Sequence, residues 1–102
     1  MQNQSEFLKT FLNLGGYKIN KELKPTFKLS ITELNTCFDN WIKNHKSYAS
    51  EGYRCGQHVC NWFKLSRMEG DNKKLEELLW EIKDLTGVLE ALEYYNIIDY
   101  NN

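Results

Sequence analysis

A chain of 102 residues, 41% of them hydrophobic, has the size of one domain. It holds no run of about 18 apolar residues, which excludes an ordinary membrane-spanning helix. The net charge of −1 also excludes the uniform basicity of a dedicated nucleic-acid binder, although residues 1–50 carry seven lysines against four acids and residues 51–102 six basic residues against ten acids.

Ser5 can cap a first short helix through Phe7, Leu8, Phe11, Leu12 and Leu14, and Gly15 with Gly16 can stop it. Between residues 17 and 29 the pattern is irregular: Pro25 forbids an uninterrupted helix, and Thr26-Phe27-Lys28-Leu29 alternates as an extended segment would. Ser30-Ile31-Thr32-Glu33 reads as a capping box. The second helix it opens carries Ile31, Leu34, Phe38, Trp41, Ile42 and His45 as one stripe to about Lys46, before a loop over 47–52. A third helix is expected from about residue 51 or 53 to 68. The turn Glu69-Gly70-Asp71 follows, with Asp71 as N-cap of a fourth helix whose stripe is Leu75, Leu78, Leu79, Ile82 and Leu85. Thr86-Gly87 is the expected interruption, a continuous helix through Gly87 being the other option, and Val88, Leu89, Leu92 and Tyr95 form a last short helix. The pattern predicts a single all-α domain over residues 1–102, a compact bundle of four to five short helices, with an extended segment near 17–29 as an option.

The run Arg54-Cys55-Gly56-Gln57-His58-Val59-Cys60-Asn61 is the most informative stretch. At about 100° per residue, Arg54, Gln57, Asn61 and Lys64 gather on one side of a helix, and Cys55, Gly56, Val59, Trp62 and Phe63 on the other. Two readings stay open: a polar network in which Arg54 and Gln57 reach the carbonyls of adjacent helix ends, or a recognition face for an anionic or amide-bearing partner. Gly56 is explained by the close approach of a neighbouring backbone.

The spacing from Trp41 to Arg54-x-Gly56-Gln57-x-x-x-Asn61-Trp62, followed by Leu79-Trp80, Asp84 and Val88-Leu89-Glu90-Ala91-Leu92, resembles a group of small bacterial and phage helical proteins of unassigned activity. The resemblance covers roughly residues 34–95. It implies a compact helical unit of phages and mobile elements and carries over no catalytic residue; the lysine-bearing N-terminal segment departs from it.

Other constellations have blander uses. Cys55-x-x-His58-x-Cys60 holds zinc-ligand types, but on a helix the three cannot converge without unwinding, and Cys37 or His45 would have to complete the set, so no metal is expected. A Cys–His nucleophile lacks an oxyanion turn and an orienting acid. Glu76-Glu77 and Glu90 with Glu93 sit beside Lys73, Lys74 and Lys83 as a solvated face, and Asp84 suits a helix cap. Lys18, Lys21, Lys24 and Lys28, interleaved with Tyr17 and Phe27, could track phosphates. Trp80, Tyr94, Tyr95, Ile97, Ile98 and Tyr100 offer an apolar surface for a partner, unless the C-terminus folds back over them.

These readings lead to a non-enzymatic interaction protein without cofactor, which the resemblance makes phage- or mobile-element-encoded. It would bind and inhibit or modulate a host protein, a defence factor among the options. Arg54, Gln57, Asn61, Trp80, Tyr94 and Tyr95 are its contact residues, and self-association through the same surface is allowed. The alternative is a small nucleotide- or nucleic-acid-binding module using Lys18, Lys21, Lys24 and Lys28. Residues 1–6 lack the regions of a secretory leader, and the odd set of Cys37, Cys55 and Cys60 suits reduced thiols. The expectation is therefore no membrane association and the cytoplasm, that of the host cell if phage-encoded.

Overall fold

The computed structural model describes residues 22–101, and its architecture follows from where the chain can start and stop a helix. The first helix predicted from sequence, with Lys18 and Lys21, lies outside the described residues. After an irregular stretch, β1 (Leu29–Ser30) leads into α1 (Ile31–Ser50), α2 (Cys55–Trp62), a 3₁₀ turn (Leu65–Arg67), α3 (Gly70–Glu81), α4 (Leu85–Tyr94) and β2 (Ile98–Asp99). This is a small, mostly helical fold with one two-residue parallel strand pairing, Leu29 opposite Ile98 and Ser30 opposite Asp99.

Ser30 caps α1 as its sequence promised, its Oγ accepting the Glu33 amide at 3.3 Å. The helix runs one turn past the expected end near Lys46, and the residue that stops it is Gly52. With φ at +72°, Gly52 donates its amide to the Ala49 carbonyl at 3.1 Å while Tyr53 donates to Tyr48 at 2.9 Å, the paired closure a left-handed glycine permits. The expected third helix to residue 68 is likewise corrected. Lys64 turns left-handed at φ +57° and α2 gives way to the 3₁₀ turn. A continuous helix would point Phe63 and Leu65 about 200° apart, whereas the kink lets Leu65 be buried and Phe63 pack against the core.

Asp71 does not cap α3. Its carboxylate accepts the Lys24 amide at 2.7 Å and Asn72 Oδ1 accepts that of Thr26 at 2.7 Å, so the first turn of α3 pins the irregular segment around Pro25. The break between the last two helices falls at residues 82–84 rather than at Thr86-Gly87. Asp84 Oδ1 accepts the Gly87 amide at 2.8 Å, which makes Asp84 the N-cap of α4 and Gly87 a residue of its first turn. At the other end Asn96, at φ +57°, lets Ile97 donate back to Leu92 at 2.9 Å and reverses the chain into β2.

The core lies where all four helices meet: Leu34 and Cys37 from α1, Cys55 and Val59 from α2, Leu75 and Leu79 from α3, Val88 and Leu92 from α4, with Ile82 and Ile97 from the connections. The C-terminus folds back. Tyr95, Ile97 and Ile98 are buried, which closes much of the apolar C-terminal surface allowed by the sequence, and Tyr100 stays 61% exposed.

Candidate interaction surface

The first turn of α2 is built against the end of α3. A helix leaves its last carbonyls without intrahelical partners, and here Arg54, Cys55 and Gly56 supply them. Arg54 Nε donates to the Trp80 carbonyl at 2.8 Å, the Cys55 amide to Lys83 at 3.0 Å and the Gly56 amide to Ile82 at 2.9 Å. Gly56 is required by contact: a Cβ there would stand 1.5 Å from the Leu79 carbonyl oxygen. Gln57 Oε1 accepts the Arg54 amide at 2.9 Å, returning a side chain to the start of its own helix. Arg54 and Gln57 thus stand half-buried in a backbone network, in the manner of the structural reading of the fingerprint.

Asn61 belongs to a second cluster. Its Nδ2 donates to the Tyr53 hydroxyl at 3.2 Å, and that hydroxyl lies 3.3 Å from His58 Nδ1. With the imidazole proton on Nε2 the Tyr53 hydroxyl accepts from Asn61 and donates to His58 Nδ1; with it on Nδ1 the hydroxyl accepts from both. The imidazole is 6% exposed and ringed by Trp41, Tyr48, Tyr53 and Trp62 at 5.2–5.6 Å between centroids. Nε2 is buried with no hydrogen-bond partner. Burial holds the imidazole below its ordinary pKa, the Cys37 backbone pulling the other way. Trp62 Nε1 ties α1 in by donating to Glu33 at 3.3 Å, and within α1 Tyr48 donates to Asn40 Oδ1 at 3.0 Å. Trp41 stacks on Tyr48 at 5.2 Å and 20° between planes.

Past this cluster α1 leaves the core. All its buried residues, Leu34, Cys37 and Phe38, lie in its first half. On the second half Ile42 is 57% exposed, and His45 and Ala49 are exposed with it. Trp41, Ile42, His45 and Ala49 form one wall of a predominantly apolar hollow of about 250 Å³, and Lys83, Asp84 and Leu85 form the other. Sequence reasoning placed Trp41, Ile42 and His45 on the core stripe of the helix. The missed signal is local: from Lys43 to Ser47 the helix is polar, too thin a supply of apolar residues to bury a further turn.

Of the other predicted contact residues, Trp80 is half-buried at a second hollow of about 280 Å³ lined with Ser66, Glu76, Glu77 and Glu81. Tyr94 is half-buried, its ring 4.9 Å from that of Tyr95, and the burial of Tyr95 withdraws it from any surface role. Glu76, expected on a solvated face, is buried and pairs with Lys73 at 3.0 Å. Of the lysine alternative, Lys24 and Lys28 are exposed and Lys28 Nζ donates to the Asn96 carbonyl, while Lys18 and Lys21 lie outside the described residues.

Cys37, Cys55 and Cys60 are buried free thiols, each pushed up to about 12 chiefly by burial. Among the described residues no three His, Cys, Asp or Glu side chains are grouped to hold a metal ion, and no helix is long and apolar enough to cross a membrane. No protein-family model, curated protein or solved structure matches the chain.

Proposed function

We propose that this is a non-enzymatic interaction protein whose contact face is the hollow between the second half of α1 and the start of α4. The observation that carries the reading is Ile42, a large aliphatic side chain 57% exposed on a helix wall that also holds Trp41 and faces Leu85. Apolar groups left in water beside a concave, largely apolar surface are what a partner side chain covers, and aromatic anchors such as Trp41 dominate such contacts. The thiols, held protonated by burial, offer poor nucleophiles, which favours binding over covalent chemistry. The resemblance to phage proteins makes a bacterial host protein the expected target.

The test is photo-crosslinking from position 45, on the hollow, and from Lys74, an exposed residue of α3 outside its lining, followed by identification of the attached protein in host lysate. A single host protein crosslinked from 45 and lost in Ile42→Glu, with the unfolding midpoint unchanged, supports the reading. Equal capture from both positions, or capture indifferent to Ile42→Glu, overturns it. The nucleic-acid alternative would show instead as binding that collapses with salt and with Lys24→Glu.

A further inference from the structure

The hollow has a candidate occupant in the chain itself. Along the exposed second half of α1, Ile42, His45 and Ala49 follow one another at steps of three and four, the spacing of a seam between two packed helices, while Phe38, one turn before Ile42, is buried in the core. Ala49 is small enough for close approach. Trp41 and Tyr48, seven residues apart, occupy one flank of the seam and are committed to the His58 cluster. Asp39 and Lys46, also seven apart, occupy the other flank, and both are exposed.

The sign of those two charges selects the partner. A two-fold axis across the seam sets two copies of α1 antiparallel, with like flanks face to face. With Ile42 of one copy level with His45 of the other, Asp39 of each copy comes within about two residues' rise, roughly 3 Å along the axis, of Lys46 of its partner. The pairing occurs twice, once at each end. A parallel arrangement in register would set the Asp39 and Lys46 flank of each copy against the Trp41 and Tyr48 flank of the other, leaving neither charge opposite its complement.

We propose that, in the isolated protein, this groove is covered by a second copy of the chain, in an antiparallel α1–α1 pairing centred between Ile42 and His45 and set in register by Asp39 and Lys46. The inference rests on the reading of this surface as a docking face and names its first occupant; a host protein would then compete with the second copy for the same seam. The short seam makes a weak dimer, at the small end of specific interfaces.

Sedimentation equilibrium and light scattering over rising concentration test it with the full chain. The expected mass moves from 12.1 kDa toward twice that value. Asp39→Lys alone and Lys46→Asp alone each replace two attractive pairs by two repulsive ones and weaken self-association about tenfold. Mixing the two variants restores it as a heterodimer, because each contact then joins Lys to Asp again. Both positions are exposed, so circular dichroism of the variants should match that of the parent. A single mass of 12.1 kDa at every concentration overturns the inference, as does a dimer indifferent to the swaps or unrescued by mixing. Its failure is distinguishable from that of the docking reading: a monomer that still loses its host partner in Ile42→Glu keeps the face and discards only the second copy.

Discussion

In α2 the polar side chains of an amphipathic helix point at backbone partners, while in the second half of α1 the apolar side chains Ile42 and Ala49 point at water. Arg54, Gln57 and Asn61 are each engaged, with Trp80, with the Arg54 amide and with Tyr53. Ile42 has a hollow beside it and little covering it. A polar stripe in sequence therefore does not by itself mark a surface for a partner, since a helix end needs donors from its neighbours as much as a partner does. The contrast predicts large stability effects and small binding effects in α2, and the reverse in α1.

The largest effect should come from Gly56→Ala. Its Cβ would stand 1.5 Å from the Leu79 oxygen, and the neighbour is backbone, so α2 and α3 must separate. Overpacking of this kind together with the loss of the bonds at 2.8–3.0 Å should cost on the order of 4 kcal/mol, read as a drop in the urea midpoint or an insoluble product. A variant within about 1 kcal/mol of the parent would show that the two helices can part cheaply, and the contrast would lose its stronger half. Arg54→Met should follow at about 2 kcal/mol, because a half-buried carbonyl loses a charged donor, and Gln57→Ala at about 1 kcal/mol for the lost cap.

The structure also shows what a sequence of this kind makes legible. Ser30 and Asp84 were readable as caps because an N-cap is a local event between a side chain and an amide three residues on. The ends of α1 and α2 were not, since Gly52 and Lys64 stop helices by adopting left-handed backbone, and Lys64 bears no compositional mark of doing so. Asp71 looked like a cap and instead holds Lys24, a contact spanning 47 residues. Gly56 was legible as a point of close approach, but not what approaches it. The hollow at Ile42 was illegible because the stripe of α1 is continuous in sequence; only the fold shows that α4 begins too late to cover its second half.

Two pH effects come next in size and sharpen the contrast within α2. Folding holds the His58 imidazole below its ordinary value, so the unfolded chain takes up the proton first as pH falls. The stability due to the neutral ring is full above the unfolded pKa of about 6.5 and is lost as pH drops through that value toward the lower folded one. His58→Gln should flatten the unfolding midpoint between about pH 7 and 5; an unchanged slope would mean that the aromatic ring accepts the charged imidazole as readily as water does. The thiols work in the opposite sense. Raised to about 12 in the fold, they stabilise it below the pKa of an unfolded thiol and lose that contribution as pH climbs from about 9 toward 12. At neutral pH a thiol reagent should label none of the three at an appreciable rate until denaturant is added, and then all three.

The smallest stability effect should fall on the residue given the largest binding role. Ile42→Ala removes an aliphatic side chain that is already 57% in water, on a stretch of helix with no buried residue of its own. Alanine has the higher helix propensity, and it offsets the little packing lost against Trp41, so the unfolding midpoint should stay within about 0.5 kcal/mol of the parent. A loss of more than about 2 kcal/mol, measured by urea titration at neutral pH, would place Ile42 in the cooperative core despite its exposure. The second half of α1 would then have to be read as part of the folded body, and the hollow beside it as an incidental dent. A near-silent change would leave the aliphatic side chain with no structural task on a wall shared with Trp41 and Ala49, which is the physical meaning of a surface held ready for another chain.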